Sequence, residues 1–376
     1  MSDTPLLDTI KTPEDLRKAQ HQVMRTDGLI LRDNIYGTPE QDALRRDFTI
    51  NALFYNIDGY HVIDYVGGMD DLDRRLIRSI GDPRKRYVED PVRMLRAVRF
   101  ACQLDFRIED EAYGAICELN GFIAEASNAR LYEEVLKLLK SGAMAKTFDL
   151  LGETGLRAVL FPELNSWVEA PENAAGAALV RAACRRIDEM TAAGAPPRPG
   201  VALALMLGAY HTAMAEDLAA QGMHLHEAVS SATFGHLSGL AKRVMIPKKV
   251  GYEIVHILGL QPRFARIQGK HPERLTLHPF FQDAFEYFKF VCGTTGEDGD
   301  LVEWWERVAR AAPAVRAHHA GPPHMYHPAG DRHGPRGWRG RRRRRGGLHQ
   351  AGAHHGVGMH GASDAHAGNV STHGNP

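Results

Sequence analysis

The apolar pattern of the chain changes once, at "GDP" (residues 81–83), and this change limits the fold more than any other feature. Before it, apolar and polar residues alternate in "TINALFYNI" and "YHVIDYV". The two stretches are separated by Asp58-Gly59, a dipeptide typical of a tight turn. The alternation therefore predicts a β-hairpin from Thr49 to Val66.

After the change the apolar spacing is helical. In "ARLYEEVLKLLKSG", Leu131, Val135, Leu138 and Leu139 fall on one face of a helix, and Gly142 is a candidate C-cap. Similar spacing continues through "VALALMLGAY" and "FQDAFEYFKFV" to "LVEWWERVARAA". The sequence thus predicts an α+β fold, in which a short mixed piece precedes an all-α middle and C-terminal half.

Composition excludes some classes of protein and leaves others open. The 376 residues include 46 Lys+Arg and 46 Asp+Glu, so net charge indicates no particular partner. The four cysteines are scattered without a CxxC pair, which is typical of reduced thiols and argues against a zinc site. The first residues lack an apolar signal core, and no stretch reaches the roughly 18 apolar residues of a membrane span. We therefore expect a cytoplasmic protein with no membrane segment.

The last part of the chain has a different composition. From Pro313 onward there is no Lys, Glu, Phe or Ile, and Gly, His, Pro and Arg dominate. Such a segment offers no periodic apolar face, so residues 313–376 are predicted to be a disordered tail. Its irregularly spaced histidines do not favour a dedicated metal site. The run "RGRRRRRGG" could bind RNA phosphates, but translation of a shifted reading frame would give a similar composition, and both interpretations stay open.

Three motifs lie within the first hundred residues: "RRDFTINAL" at 45–53, "DYVGGMDDL" at 64–72 and "IRSIGDPRKRYVEDPVRMLRAVRF" at 77–100. Each alone has a simple structural explanation. The first is a charged turn before a strand, and the second is a glycine turn that permits close backbone approach. In the third, Asp90 is a predicted N-cap with Pro91 at the first helical position, followed by arginines at 93, 96 and 99 on one broad face.

Taken together and in this order, the motifs resemble those of the class II nucleotidyltransferases that extend RNA 3′ ends. This family comprises the bacterial poly(A) polymerases and the CCA-adding tRNA nucleotidyltransferases. The similarity is close over residues 29–165 and weaker to about residue 312. The "LRDNIYG" lead-in, the "EDPVRMLRAVRF" form of the third motif and the basic tail favour the poly(A) polymerase branch.

The resemblance implies a set of site residues. Arg45, Arg46 and Asp47 would contact the ribose and phosphates of ATP, since the guanidinium fork suits phosphate oxygens and a carboxylate accepts from a ribose hydroxyl. The ED-xx-R motif would select the base at its edge. The further residues implied are Glu89, Asp90 and Arg93 of that motif, Arg96 and more weakly Arg99 for phosphates or RNA, and Gly67 and Gly68 at the pocket floor.

The resemblance also implies a domain organisation. A partial nucleotidyltransferase head with a short mixed sheet would span 1–84, and a helical neck that selects nucleotide and binds RNA would span 85–165. A helical RNA-binding body would span 166–312, before the tail at 313–376. Basic stretches at "DPRKRY", "AKRVMIPKKV" and "RFARIQGKHPER" support RNA as partner only in combination with that tail. Trp304 and Trp305 could stack on bases, but their helical spacing favours core packing.

One family feature is absent from the sequence. Family members carry a GGxVRD-type segment and a D-x-D pair that holds the Mg²⁺ ions, and neither occurs before Arg45. The "DGD" at 298–300 lies in a loop-like stretch of the helical half, so its spacing is taken as coincidental. We therefore identify no catalytic residue and no metal ligand, and expect an N-terminally truncated polymerase.

The expected function is template-independent addition of AMP from ATP to the 3′ ends of mRNA or other transcripts. Mg²⁺ would be the cofactor of the full-length enzyme, and this chain is expected to be inactive alone. Two alternatives remain open: a CCA-adding tRNA nucleotidyltransferase, and a non-catalytic RNA-binding remnant.

Overall fold

The computed structural model describes residues 37–267 and 272–311. These residues belong to the first of two compact units, Met1–His319. The second unit, Ala320–Pro376, and the whole predicted tail lie outside the described residues.

The region predicted to be a partial head begins with a capped helix, α1 (Pro39–Arg45). The Thr38 side chain accepts from the Gln41 N–H, and the Gln41 side chain accepts from the Thr38 N–H, which forms a capping box. The following elements are β1 (Leu53–Asn56), β2 (His61–Asp64), α2 (Gly68–Asp73) and β3 (Leu76–Ile77).

The predicted hairpin is present but shorter than expected. Strands β1 and β2 pair antiparallel, with Leu53 opposite Asp64 and Asn56 opposite His61. The prediction that extended structure begins at Thr49 is wrong, because Thr49–Asn51 forms a 3-10 turn. In that turn the Asn51 N–H donates to the Phe48 carbonyl, so the backbone bends before the strand starts.

A second strand pair was not apparent from the sequence. Strand β4 (Arg107–Ile108) pairs parallel with β3, with Ile77 opposite Ile108. Two residues are too few to show an alternating pattern. The mixed character predicted for the sheet is therefore present as two separate pairs, one antiparallel and one parallel. The parallel pair connects the first region to the helical part of the chain.

Apart from β4, the described chain after residue 83 is helical, as predicted. The helices are α3 (Pro83–Glu89), α4 (Val92–Leu104), α5 (Asp110–Leu119), α6 (Asn128–Leu139), α7 (Met144–Glu153), α8 (Leu156–Leu160), α9 (Pro162–Glu169), α10 (Ala174–Ala192), α11 (Pro199–Ala220), α12 (Leu225–Leu240), α13 (Lys248–Gly259), α14 (Gln261–Phe264), α15 (Phe281–Thr295) and α16 (Gly299–Ala311). Short 3-10 turns lie at Asn120–Glu125, Pro171–Asn173 and Pro272–Leu277.

The predicted start of α4 is confirmed within one residue. Asp90 is extended, and its Oδ1 accepts from the Val92 N–H at 3.3 Å, as an N-cap side chain does. Pro91 has helical dihedral angles but precedes the first assigned helical residue.

The predicted end of α6 differs more. Its apolar face, Leu131 to Leu139, is buried as predicted. Gly142 has a φ of +73°, yet the helix already ends at Leu139, so Gly142 shapes the following turn and is not the C-cap.

One apolar core extends from Phe48 and Ile77 to the helices around Ile257. A second cluster lies at the C-terminal end, where Trp305 is fully buried and its Nε1 donates to the Phe264 carbonyl at 2.9 Å. The preference for core packing over base stacking is thus confirmed for Trp305. Among the described helices, none combines the length and apolar character needed to cross a bilayer.

Phe48 anchors the first region to the helices, because it is fully buried and packs edge-on against Phe100 at 5.9 Å. We expect Phe48→Ala to lower the free energy of unfolding by about 3–5 kcal/mol, the usual cost of an emptied aromatic site. Urea denaturation followed by circular dichroism measures this. The control is Phe234→Ala on α12, which is 63% exposed and should change stability by less than about 0.5 kcal/mol. Equal behaviour of the two variants would contradict the anchoring role.

Candidate functional site

The Arg45-Arg46-Asp47 motif lies where α1 ends and the chain becomes extended. Arg46 caps the helix with an extended backbone (ψ of 163°), so Asp47 no longer follows the helical direction of Arg45. Both arginines are exposed, and Arg46 pairs with Asp42 at 2.7 Å. Asp47, by contrast, is only 8% exposed. The motif therefore presents two cations to solvent and one carboxylate to the protein.

Both oxygens of the Asp47 carboxylate accept from protein donors. Its Oδ1 accepts from the Phe48 N–H and the Asn51 side chain, each at 3.0 Å, and its Oδ2 accepts from Arg96 Nε at 2.5 Å. Burial acts to raise the pKa of Asp47, but the hydrogen bonds from Asn51 and Arg96 outweigh it and hold the pKa below its usual value. Asp47 is therefore ionised and orients Arg96, the second arginine of α4.

Arg86 of α3 joins the first motif to the third. Its Nη2 donates to the carbonyl oxygens of Arg45 at 2.9 Å and Arg46 at 2.5 Å, and its Nη1 donates to Glu89 Oε2 at 3.1 Å. Burial, and then repulsion from Arg93, lower the pKa of Arg86, whose side chain is 16% exposed. One guanidinium thus fixes the backbone beneath the two exposed arginines relative to the ED-xx-R motif.

The ED-xx-R residues lie where α3 meets α4. Arg93 Nη1 donates to Glu89 Oε2 and to the Arg86 carbonyl, both at 3.1 Å. Asp90 Oδ2 accepts from Arg130 Nη2 of α6 at 2.7 Å. Because Glu89 and Arg130 are 55% and 54% exposed, these ion pairs are worth only about 0–1 kcal/mol each. A ligand that offers a better-matched donor and acceptor can therefore replace them.

The remaining arginines of α4 differ in role. Arg96 reaches Asp47, and its side chain stays 32% exposed. Arg99 is 12% exposed, lies 3.7 Å from Glu134 of α6 and stacks 4.1 Å above the Phe100 ring. Burial lowers the pKa of Arg99. Arg96 thus belongs to the motif cluster, by which we mean Arg45, Arg46 and Asp47 with the ED-xx-R residues and the arginines that contact them. Arg99, by contrast, packs between helices.

The glycine pair lies against the chain just after Asp47. Gly67 has a φ of +79°, and a Cβ on Gly68 would lie 2.3 Å from the Thr49 carbonyl oxygen. Asp64 accepts four backbone N–H groups between residues 66 and 69 at 2.9–3.0 Å. Burial acts to raise the pKa of Asp64, but these donors hold it below its usual value. The close approach predicted for the glycines is confirmed, and their role at a pocket floor stays a prediction.

The described carboxylates near the motifs do not fit a Mg²⁺ site. Asp47 and Asp64 already accept from the protein donors given above, and Asp71 accepts from Thr49 at 2.8 Å and from Arg78 at 3.0–3.1 Å. Within residues 37–267 and 272–311, no group of three or more His, Cys, Asp or Glu could hold a metal ion. Hard cations are bound by several oxygen ligands together, whereas each of these carboxylates is held by protein donors with which an ion would have to compete.

Three contributors were missed by the sequence analysis: Arg86, Asn51 and Arg130. Arg86 stands three residues before Glu89 and seven before Arg93, a helical spacing that could have indicated a shared face. Asn51 stands four residues after Asp47 within the first motif. Arg130 had no local signal, because its partner Asp90 is distant in sequence.

Three family models match the chain. They are "Poly A polymerase head domain" at residues 7–78, "Probable RNA and SrmB- binding site of polymerase A" at 105–168, and "Polymerase A arginine-rich C-terminus" at 221–346. All three describe parts of one kind of enzyme and follow its order along the chain.

Individual relatives agree with these matches. Poly(A) polymerase I of Salmonella typhi is 37% identical over 289 residues, which are 76% of this chain and 62% of the relative. The chain thus spans 62% of the length of that curated relative. A CCA-adding enzyme of Bacillus licheniformis is 44% identical over 117 residues, 31% of this chain and 29% of that protein. The Bacillus stearothermophilus CCA-adding enzyme in complex with CTP has a TM-score of 0.51 at 26% identity, covering 73% of this chain and 60% of that one.

The Asp47–Arg96 contact predicts a pH-dependent difference in stability. We expect Asp47→Asn to lower the free energy of unfolding by about 2 kcal/mol at neutral pH, the value of hydrogen bonds to a charged group. Because the folded pKa lies below the usual 3.8, the contribution is complete above that value and is lost as pH falls through the folded pKa. The gap between variant and wild type should therefore close in acid.

Denaturant titrations at a series of pH values measure this gap. The matched control is Asp42→Asn, whose carboxylate is 48% exposed and whose ion pair should contribute less than about 1 kcal/mol. A gap between Asp47→Asn and wild type that persists unchanged in acid would contradict the ionised state of Asp47.

Proposed function

The chain belongs to the bacterial poly(A) polymerase family, and from this premise we propose that its function is template-independent transfer of AMP from ATP to RNA 3′ ends. The substrates would be ATP and the 3′ ends of mRNA or other transcripts in the cytoplasm. The observation that carries the proposal is the connection of two family motifs through Arg86, which donates to the Arg45 and Arg46 carbonyls and to Glu89.

The first motif would bind the sugar and phosphates. Arg45 and Arg46 are exposed at the end of α1, where two guanidinium groups can make charge-assisted bonds to phosphate oxygens. Asp47 would act through Arg96, because its own oxygens are already occupied by protein donors. This differs from the direct ribose contact implied by the resemblance, and it assigns Asp47 a positioning role.

The ED-xx-R motif would choose the base. Asp90 supplies an acceptor and Arg93 a donor fork, and both are held at the junction of α3 and α4 by weak, exposed ion pairs. An adenine edge offers an amino donor and ring nitrogen acceptors, which matches this pair of groups. Glu89 would keep Arg93 oriented until the base arrives.

Metal chemistry is the part of the reaction that the described motif residues do not supply. In the family enzyme Mg²⁺ would activate the RNA 3′-hydroxyl and offset charge on the triphosphate. The carboxylates described above are held by protein donors and do not fit that ion, and residues 1–44 contain no D-x-D pair. We therefore propose that the 376-residue chain binds nucleotide and RNA but does not transfer AMP by itself.

An extension assay tests this proposal. The purified chain is incubated with Mg²⁺, a short RNA and ATP, in parallel with a version to which a head segment carrying D-x-D has been joined. We expect no extension by the first and ATP-dependent extension by the second, because the attacked α-phosphate and the leaving pyrophosphate need metal neutralisation. Extension by the unmodified chain would show that carboxylates of this chain bind the metal after all.

Two other functions are separated when the assay is repeated with CTP in place of ATP and with a tRNA in place of the short RNA. A CCA-adding enzyme is favoured by the 44% identity over 117 residues to the Bacillus licheniformis protein. That function predicts incorporation of CTP as well as ATP, and only on tRNA ends. A non-catalytic RNA-binding protein predicts salt-sensitive RNA affinity with no extension by either version.

Nucleotide choice should depend on Arg93. We expect Arg93→Lys to reduce the preference for ATP over CTP by about tenfold, because lysine cannot reproduce the planar donor fork and one base contact is worth about 1–3 kcal/mol of discrimination. Equilibrium binding of fluorescent ATP and CTP analogues measures the ratio.

Arg84→Lys is the matched control for Arg93→Lys. Arg84 lies on the neighbouring helix α3, is 45% exposed and pairs with Glu118 away from the motif cluster. Its replacement should leave the ratio unchanged. If Arg93→Lys weakens ATP and CTP equally, Arg93 contributes charge but does not read the base.

A further inference from the structure

Four aromatic side chains form a partly exposed group on the C-terminal helical region: Tyr252, His256, His278 and Phe280. The rings of His256 and Phe280 are stacked, 5.0 Å apart with an angle of 7°. Tyr252 packs edge-on against His256 at 4.1 Å, and His278 lies 5.5 Å from His256. Tyr252 is 37% exposed, and the other three side chains are partly buried. We call this group the aromatic platform.

Cations border the aromatic platform. Lys248, Tyr252 and His256 follow one another at intervals of four residues, so they lie along one face of α13. Lys249 follows Lys248 in the sequence. Burial, then His256 and then Arg263 lower the pKa of the His278 imidazole, so Arg263 is also near the aromatic platform. Over residues 37–267 and 272–311, neither lysine has an ion pair.

Nearby acidic residues do not cancel this charge. Glu253 follows Tyr252 on α13 but is 9% exposed, and it lies 3.8 Å from Arg198. Asp283, three residues after Phe280, also pairs with Arg198. Arg198 offsets one of these two negative charges, and Lys248, Lys249 and Arg263 outnumber the one that remains, so the charge summed over these six residues is positive.

We propose that the aromatic platform stacks the bases of single-stranded RNA while Lys248, Lys249 and Arg263 contact its phosphates. The inference rests on the proposed function, because it gives the transcript a second contact away from the ED-xx-R motif. Rings bordered by cations fit single-stranded nucleic acid, since each base has a stacking face and each nucleotide a negative charge. A protein that docked on the aromatic rings would not require the three cations beside them, whereas an RNA strand would.

The test measures binding of fluorescent oligo(A) RNA to the full chain by anisotropy over a range of salt. Tyr252→Leu keeps apolar packing but removes the ring, so affinity should fall about tenfold with an unchanged salt dependence. Tyr252→Phe should restore wild-type affinity. The double variant Lys248→Gln, Lys249→Gln should reduce the slope of log affinity against log salt by about 1.4, because two phosphate contacts are lost.

Two controls separate stacking from a general loss of structure. Phe234→Leu changes an aromatic side chain on α12 that is 63% exposed and outside the aromatic platform, and it should bind like wild type. An oligonucleotide of abasic sugars should bind wild type and Tyr252→Leu equally, because there are no bases to stack. Thermal melting shows whether each variant is folded.

The possible results are distinct. If the wild-type chain does not bind oligo(A), the RNA-binding part of the proposed function is wrong. If it binds but Tyr252→Leu and Tyr252→Phe have equal affinity, the aromatic platform does not stack bases and the proposed function is unaffected. If Tyr252→Leu leaves RNA affinity unchanged but alters the elution volume of the chain, the platform is a protein contact and the inference is overturned.

Discussion

The contact between Asp47 and Arg96 determines how the first region joins the helices. Asp47 lies two residues after the end of α1 and Arg96 lies in the middle of α4, so one partly buried ion pair connects segments 49 residues apart. Phe48, the next residue, enters the apolar core beside Phe100. The ion pair of Asp47 and the core packing of Phe48 thus hold this part of the chain against α4 at two adjacent positions. A buried carboxylate without such a partner would be strongly destabilising, which makes each contact dependent on the other.

Several arginine side chains lie close together at this site, and their N–H groups need hydrogen-bond acceptors. The structure supplies both main-chain carbonyls and side-chain carboxylates. Arg86 donates to two carbonyl oxygens and Arg93 to a third, while Glu89 is shared between them. Carbonyl acceptors orient a guanidinium without neutralising it. Of the two exposed arginines above these carbonyls, Arg46 also pairs with Asp42, a weak exposed ion pair that an anionic nucleotide could replace.

Periodicity predicted the elements that have a long repeating pattern. The centre of the hairpin and the buried face of α6 are where the alternation and the helical spacing placed them. Strand β4 was missed because two residues carry no pattern. At the site, the motif residues were identifiable by resemblance, but Arg86 was not. Its acceptors are peptide carbonyls, which every residue has, so no residue type in the sequence marks them.

The head carboxylates show why structural and metal-binding acids must be separate groups. Asp47, Asp64 and Asp71 each accept several donors that hold a motif, a loop or an arginine in place. A Mg²⁺ ion could use one of them only by displacing those donors, which would release Arg96, the glycine turn or Arg78. Binding a metal ion and holding this scaffold in place are thus competing demands on the same carboxylate. Asp47, Asp64 and Asp71 therefore serve as scaffold residues, and we expect the carboxylates of the proposed transfer to be others.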